Sequence, residues 1–254
     1  MNIIKSMAIA FSSYSRIPMP QFAWKEENMR YVMAFFPLVG VVIGGLEYLW
    51  FLLVQAAGIG SLAFCLIAGV IPVLVTGGFH IDGFMDTSDA VCSRQDREKK
   101  LQIMKDSHTG AFAVIRLLAA AGIYVAAVSQ IRTSGAMLIF ALSFVVSRCL
   151  SAFAVLHFQS ASRKGSLFFT ASAAVRRTNT VVVCLLFLVS AALMIALSWL
   201  PGLFCVLAAL GSFGYYRFMS YRQFGGITGD LAGYFVVISE VAMAVLIAAG
   251  ELLR

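Results

Sequence analysis

Ser61-Leu62-Ala63-Phe64-Cys65-Leu66-Ile67-Ala68-Gly69-Val70-Ile71-Pro72-Val73-Leu74-Val75-Thr76-Gly77-Gly78-Phe79 carries no charge. It passes directly into His80-Ile81-Asp82-Gly83-Phe84-Met85-Asp86-Thr87-Ser88-Asp89, which holds three of the chain's 12 acidic residues. The first part has the length and apolarity of a membrane crossing, about 20 residues. The second, read as a helix, sets Asp82, Asp86 and Asp89 at i, i+4 and i+7, inside an arc of roughly 60°. Like charges about 6 Å apart at an effective dielectric of about 20 repel by roughly 3 kcal/mol per pair, so the stripe needs compensation. A divalent cation is the simplest compensating group. Hard cations such as magnesium take carboxylate oxygen and share their shell with phosphates, which points to phosphoryl transfer or pyrophosphate chemistry. In a water-soluble protein the same run would read as a solvated loop or helix start. The composition argues otherwise, with 61% hydrophobic residues, 12% charged residues and a mean hydropathy of +0.90. Carboxylates beside lipid are expensive and are kept for a purpose.

Similar apolar runs recur over 31–57, 111–130, 135–158, 180–200, 202–218 and 231–250. The expected fold is all-α, a polytopic integral membrane helical bundle of about seven transmembrane helices (six to eight), in a single domain over 1–254. Pro37 could delay or kink the first span, and Pro201-Gly202 leaves open whether the fifth and sixth are one hairpin. With the N-terminus inside, the inner segments receive Lys5, Arg16, Lys25, Arg30, then Arg94, Arg97, Lys99, Lys100, Lys105, then Arg163, Lys164, Arg176, Arg177, then Arg217 and Arg222. The outer side keeps Arg132 and Arg254. By the positive-inside rule the acidic stripe faces the cytoplasm, across a bacterial cytoplasmic membrane. The net charge of +7 is then explained by anionic membrane lipid, with no nucleic-acid partner required. Residues 1–11 read as an interfacial or core-packing helix rather than a cleavable signal. The five cysteines lack metal-ligand spacing and are expected as reduced thiols. Self-association is left open.

Other residues can carry chemistry beside the stripe. Residues 93–110 read as an amphipathic helix with Leu101 and Met104 on its buried side, ending near Asp106. Lys105, Asp106 and Ser107 lie where the chain turns back into the membrane. Lys105 is a candidate for phosphate, and Asp106 is either a further metal ligand or a cap for the next span. Gly225-Gly226-Ile227-Thr228-Gly229-Asp230 opens the last span; its amides can hold phosphate, and Asp230 can bind metal or nucleotide, while either Thr228 or Asp230 can cap the helix. Glu47, Arg116, Arg148 and Glu240 fall inside spans. Arg148 can pair with either glutamate or contact a phosphate. His80 is a candidate general base or phosphate donor, whereas His108 and His157 lack a comparable setting.

Thr76 to Asp89 closely resembles the signature of the cobalamin synthases, the adenosylcobinamide-GDP ribazoletransferases. The resemblance continues collinearly at Ser15-Arg16-Ile17-Pro18-Met19-Pro20, Phe36-Pro37-Leu38-Val39-Gly40, Ile103-Met104-Lys105-Asp106-Ser107-His108-Thr109-Gly110, Ser147-Arg148 and the loop that ends at Asp230. Ala90 stands where the family often has glycine, and the segment around Arg163 to Arg177 matches loosely. The resemblance implies an enzyme that joins adenosylcobinamide-GDP to alpha-ribazole or its 5'-phosphate with magnesium, releasing GMP. On that reading Asp82, Asp86, Asp89 and Asp106 are the metal candidates, His80 or an aspartate takes the proton, and Lys105, Asp106, Ser107, Arg148 and Asp230 face substrate. Two competing readings are a CDP-alcohol phosphotransferase and a cation-coupled transporter. The first carries an Ala-Arg pair after its Asp-Gly that is absent here, and the second would place its ion site near the midplane.

Overall fold

The structure is a computed structural model that describes residues 2–106, 108–162 and 165–253. These residues form α1 (Asn2–Tyr14), α2 (Glu26–Met29), α3 (Val32–Ala57), α4 (Ser61–Thr76), α5 (Phe79–Cys92), α6 (Arg97–Ile103), α7 (Ala111–Val128), α8 (Ser134–His157), α9 (Ser166–Ala173), α10 (Arg176–Leu197), α11 (Trp199–Phe224) and α12 (Gly229–Leu252). The only β pairing among them is a single parallel bridge between Ser160 and Ile227. Helices α3, α7, α8, α10, α11 and α12 are long and apolar enough to cross a membrane. The α4–α5 pair, bent by 97° at its break, brings the total up to seven when it is counted as one span. We read α4 as the crossing, and α5, which holds the three aspartates, as lying across the end of the bundle. The polytopic helical membrane fold expected from the apolar runs is the fold observed.

Pro37 does not break the first span. Helix α3 runs through it, as α4 runs through Pro72. The fifth and sixth spans are two full helices that separate at Ser198. Pro201 sits in the first turn of α11, where its missing N–H removes no helical bond, and Gly202 lets that turn lie against the Met194 carbonyl. The amphipathic helix is shorter than expected. It begins with the Asp96 carboxylate accepting from Lys99 N at 2.9 Å and stops at Ile103, with Met104 buried and Leu101 half-buried.

The corner between α4 and α5 follows from two glycines. Gly77 (φ 68°) and Gly78 (φ 83°) are both left-handed, a conformation that side chains with a Cβ disfavour. A Cβ on Gly77 would also run into the Arg16 side chain. Arg16 is tied to the corner by its own backbone N–H, which donates to the Val75 carbonyl at 2.7 Å.

Helix α8 forms the centre of the bundle, flanked by α3, α10 and α12. Its middle, from Ser143 to Ala152, is buried throughout. Leu118, Leu185, Leu188 and Leu193 on outer helices remain exposed, the apolar exterior that lipid demands. Without a hydrophobic drive between helices inside lipid, close backbone packing has to hold α3 to α8. Gly40 and Gly44 supply it, four residues apart on one face of α3. A Cβ at either position would collide with the Phe144 or Ala141 carbonyl of α8. Gly40→Val should therefore separate the two helices and cost about 2–3 kcal/mol. Thermal unfolding of the detergent-solubilised protein should show a fall of about 5 °C or more, whereas Gly45→Val, at a position with open space, should leave it nearly unchanged.

Candidate active site

Helix α5 contains all three aspartates, so the stripe exists as helical spacing predicts. Asp82 is exposed, and Asp86 and Asp89 are half-buried. Gly83, between them, carries the contact that completes the group. A Cβ there would stand 2.7 Å from the Asp230 carbonyl oxygen and 2.9 Å from its Cα, so only glycine allows the start of α12 to lie on α5. One turn along α12, Gly233 faces the His80 backbone, and Tyr234 stacks on Phe84 with ring centroids 5.4 Å apart. This crossing brings Asp230 to the stripe. Asp86 registers the result: burial, then the charges of Asp82, Asp230 and Asp89, push its carboxyl up to about 6.

Asp89 has a different attachment. Its Oδ2 accepts from Gly110 N at 2.6 Å and its Oδ1 from Ala113 N at 2.8 Å. The start of α7 has no side-chain cap within its own segment, and the α5 carboxylate satisfies those amides and complements the helix dipole. Gly110 is required for this, since a Cβ there would meet the Asp89 carboxylate at 2.7 Å. The cap expected from Asp106 thus comes from Asp89.

The loop that opens α12 is held by the parallel bridge. Ile227 N donates to the Gln159 carbonyl at 2.8 Å, and Ala161 N donates to the Ile227 carbonyl at 2.9 Å. Gly226 permits this approach, because a Cβ would collide with Gln159 O. Of the two candidate caps, Thr228 is the one used, its hydroxyl accepting from Leu231 N at 3.2 Å. Asp230 is thereby left to face α5.

The other expected residues divide. Arg148 is fully buried and pairs with Glu240, not Glu47: its Nη1 donates to Glu240 Oε1, to Ser147 Oγ at 2.9 Å and to the Phe144 carbonyl at 3.2 Å. Ser147 Oγ lies 3.0 Å from the same Glu240 oxygen. Glu47 is buried with neither carboxylate oxygen hydrogen-bonded among the described residues. His80 lies between roughly 120° and 180° around α5 from the three aspartates at 100° per residue, and its ring faces a cavity inside the bundle. Lys105 and Asp106 are exposed. Asp106 accepts from His108 N at 3.0 Å and lies 2.7 Å from its Nδ1, contacts that hold its carboxyl below the usual range. His108 therefore does have a carboxylate partner. Ser107 lies outside the described residues. A cation not singled out by charge patterning is present instead: Arg16 and Asp82 line one cleft of about 570 Å³ together with Ser13, Ser15 and Gly78. Its position in the Ser15-Arg16-Ile17-Pro18 motif was the available signal.

Among the described residues no three His, Cys, Asp or Glu side chains converge on one point, so there is no all-protein metal cage. The donors of Asp82, Asp86 and Asp230 are hard carboxylate oxygens. Magnesium typically takes one or two such groups and fills its shell with water and phosphate. The donor chemistry fits that ion, and a cation would relieve the like-charge repulsion that adds to burial in raising Asp86.

Three outcomes follow. Asp89→Ala should lower stability by about 1–2 kcal/mol by uncapping α7, with or without divalent ion, while Asp82→Ala at its exposed position should not; thermal unfolding of both variants distinguishes them. Because the folded-state carboxyl of Asp86 titrates near 6, above the usual 3.9 or so, the protein holds that proton more tightly than the unfolded chain. Its stabilising effect is complete below about pH 4 and is lost as pH rises through 6. Asp86→Asn should then raise the unfolding temperature at pH 7.5 without divalent ion by ~2 °C, after discounting for solvent screening. Arg148→Met should destabilise by about 3–5 kcal/mol by stranding Glu240, and the double replacement Arg148→Met with Glu240→Leu should recover much of that loss.

The geometry agrees with the comparisons to known proteins. A family model described as cobalamin-5-phosphate synthase matches residues 6–248. The adenosylcobinamide-GDP ribazoletransferase of Lachnoclostridium phytofermentans is 40% identical over 255 residues, covering 100% of this chain and 97% of that protein. The protein of the same name from Clostridium botulinum strain Alaska E43 is 30% identical over 243 residues, 94% and 95% of the two chains. That from Listeria monocytogenes is 40% identical over 116 residues, 45% and 46% of the two. No solved structure matches the chain. A match that runs through α1 to α12, and includes the α5 stripe and the loop before Asp230, leads to one statement: the chain belongs to the cobalamin-5-phosphate synthase family.

Proposed function

We propose that the chain joins adenosylcobinamide-GDP to alpha-ribazole or alpha-ribazole 5'-phosphate, giving adenosylcobalamin or its 5'-phosphate and releasing GMP. The observation that carries the reading is the approach of Asp230 to the neighbourhood of Asp82 and Asp86 at one end of the helical bundle, in a chain whose full-length relatives are named for this transfer. The family assignment favours neither a phospholipid head-group transferase nor a transporter.

A ribose hydroxyl of the ribazole attacks the phosphorus on the cobinamide side of the pyrophosphate. The new P–O bond forms there, the bond to the bridging oxygen breaks, and GMP departs with that oxygen. A bound magnesium ion would supply positive charge against that growing on the leaving group. Asp82, Asp86 and Asp230 would hold it. Asp89 keeps α5 seated on α7, a role compatible with lending charge to the group but not with swinging freely toward substrate. Arg16, beside Asp82 in the same cleft, is positioned to bind a pyrophosphate oxygen. The proton of the attacking hydroxyl passes to an aspartate of the stripe, because His80 lies on the opposite side of α5. The basic residues of the connecting segments favour an orientation with this end toward the cytoplasm of a bacterial cell, with lipid against the apolar outer faces.

Membranes that carry the chain should release GMP only when both adenosylcobinamide-GDP and alpha-ribazole are supplied. Chelation should abolish release and added magnesium restore it. Asp82→Ala or Asp86→Ala should lower kcat by about 100-fold; near-normal turnover by either would remove the metal assignment.

A further inference from the structure

A cavity of about 440 Å³ lies between α4, α5, α7, α8 and α12 and opens to the outside of the bundle between α4 and α7, where Leu66, Val70 and Leu118 are exposed. Its walls are mainly apolar, from residues such as Leu66, Val70, Leu117 and Val237. Four of the polar atoms of its lining residues have no partner among the described residues. Both ring nitrogens of His80, the Tyr124 hydroxyl and Arg148 Nε lack hydrogen bonds among the described residues. These side chains are 5%, 8% and 0% exposed. Polar atoms stranded in apolar surroundings are costly, and such sites are completed by a ligand or by water. The Arg148–Glu240 pair at the edge of the cavity balances its own charge, so an ionic ligand gains nothing there.

Size and chemistry narrow the occupant. An apolar cavity of roughly 150 Å³ holds benzene. This one has room for a bicyclic aromatic and part of a sugar and is too small for a corrin ring with its amide side chains. An acyl chain would fill the volume and leave the His80, Tyr124 and Arg148 Nε atoms stranded. A flat, uncharged heteroaromatic with one acceptor nitrogen answers the Tyr124 O–H or a His80 N–H and packs on the apolar walls. Thr76 and Ile81 line both this cavity and the cleft that holds Arg16 and Asp82, so the two spaces are neighbours.

We propose that the cavity holds the aromatic base of alpha-ribazole, with its ribose directed past Thr76 and Ile81 toward Asp82. This rests on the transfer reaction proposed above. It assigns the nucleoside to a site within the bundle, and the corrinoid and its pyrophosphate to the open end.

Gly69 offers the test. A Cβ there would make ordinary contacts with Val125 and Tyr124, at 3.8 and 4.0 Å, and Gly69 lines the cavity, so the larger side chain of Gly69→Leu takes up cavity space. In the detergent-solubilised protein Gly69→Leu should raise KM for alpha-ribazole by about tenfold, with KM for adenosylcobinamide-GDP within about twofold of wild type. An alpha-riboside with a single-ring imidazole base should be affected less than alpha-ribazole. Tyr124→Phe, which keeps the shape, should raise KM for alpha-ribazole by about threefold to tenfold. Unchanged alpha-ribazole KM in both variants would overturn the assignment and leave the cavity to a lipid chain. So would an equal rise for both substrates. Calorimetric titration of alpha-ribazole into wild type and Gly69→Leu separates the two claims. Binding to wild type that weakens in the variant supports the site even if no GMP is released, an outcome that would defeat the reaction alone. Equal binding to both proteins would overturn the site.

Discussion

The chemical end of the protein depends on the backbone contact between Gly83 of α5 and Asp230 at the head of α12. No side chain fits between them, and this closeness makes carboxylates from distant parts of the chain repel one another. Two further glycine sites set up the same contact. Gly77 and Gly78 turn α5 out of the line of α4, and Gly110 admits the Asp89 carboxylate to the amides of α7. Helix α5 is therefore fixed at its start by a turn, at its middle by a backbone crossing and at its end by a carboxylate clamp. For the transfer proposed above such rigidity is an advantage, since donors already in place need little reorganisation.

The molecule solves two electrostatic problems in different ways. Inside the bundle, Arg148 and Glu240 neutralise each other with help from Ser147, which binds α8 to α12 where water cannot assist. At the end of the bundle, Asp82, Asp86 and Asp230 are not neutralised by any adjoining cation of comparable intimacy among the described residues. Burial, and after it this unrelieved repulsion, raises the carboxyl of Asp86. Paired charge serves packing, and the unpaired like charge is what the proposed function uses for binding. His80 and Tyr124, polar and unpartnered beside the inner pair, belong to neither arrangement.

Much of the fold could be read from residue order. Apolar runs of crossing length gave the span count, because in lipid every backbone group must be satisfied within a helix. The aspartate stripe was legible because i, i+4 and i+7 share a face whatever the helix packs against. The same helical wheel puts His80 on the opposite face, so its separation from the stripe follows from residue spacing alone. Gly40 and Gly44, with the spacing of a close helix crossing, were a further legible signal of the α3–α8 contact. The local signals were weaker at chain breaks: Pro37 and Pro201 carry the same residue type, yet one lies within a continuous helix and the other in the first turn of a new one.

Residue roles within the site were a different matter. Asp82, Asp86 and Asp89 are equivalent in the sequence, but Asp89 is taken by amides 21 and 24 residues away. Arg148 had two glutamates to choose from, and the choice fell on one 92 residues distant. Asp230 became a fourth member of the group through a glycine on another helix, and Arg16 entered the cleft from the opposite end of the chain. Order along the chain sets periodicity, apolar length and charge sidedness, since each depends on neighbours within a few turns. Which carboxylates stay free for an ion and which are consumed by the scaffold depends on contacts between remote segments, and only the packed helices supply those.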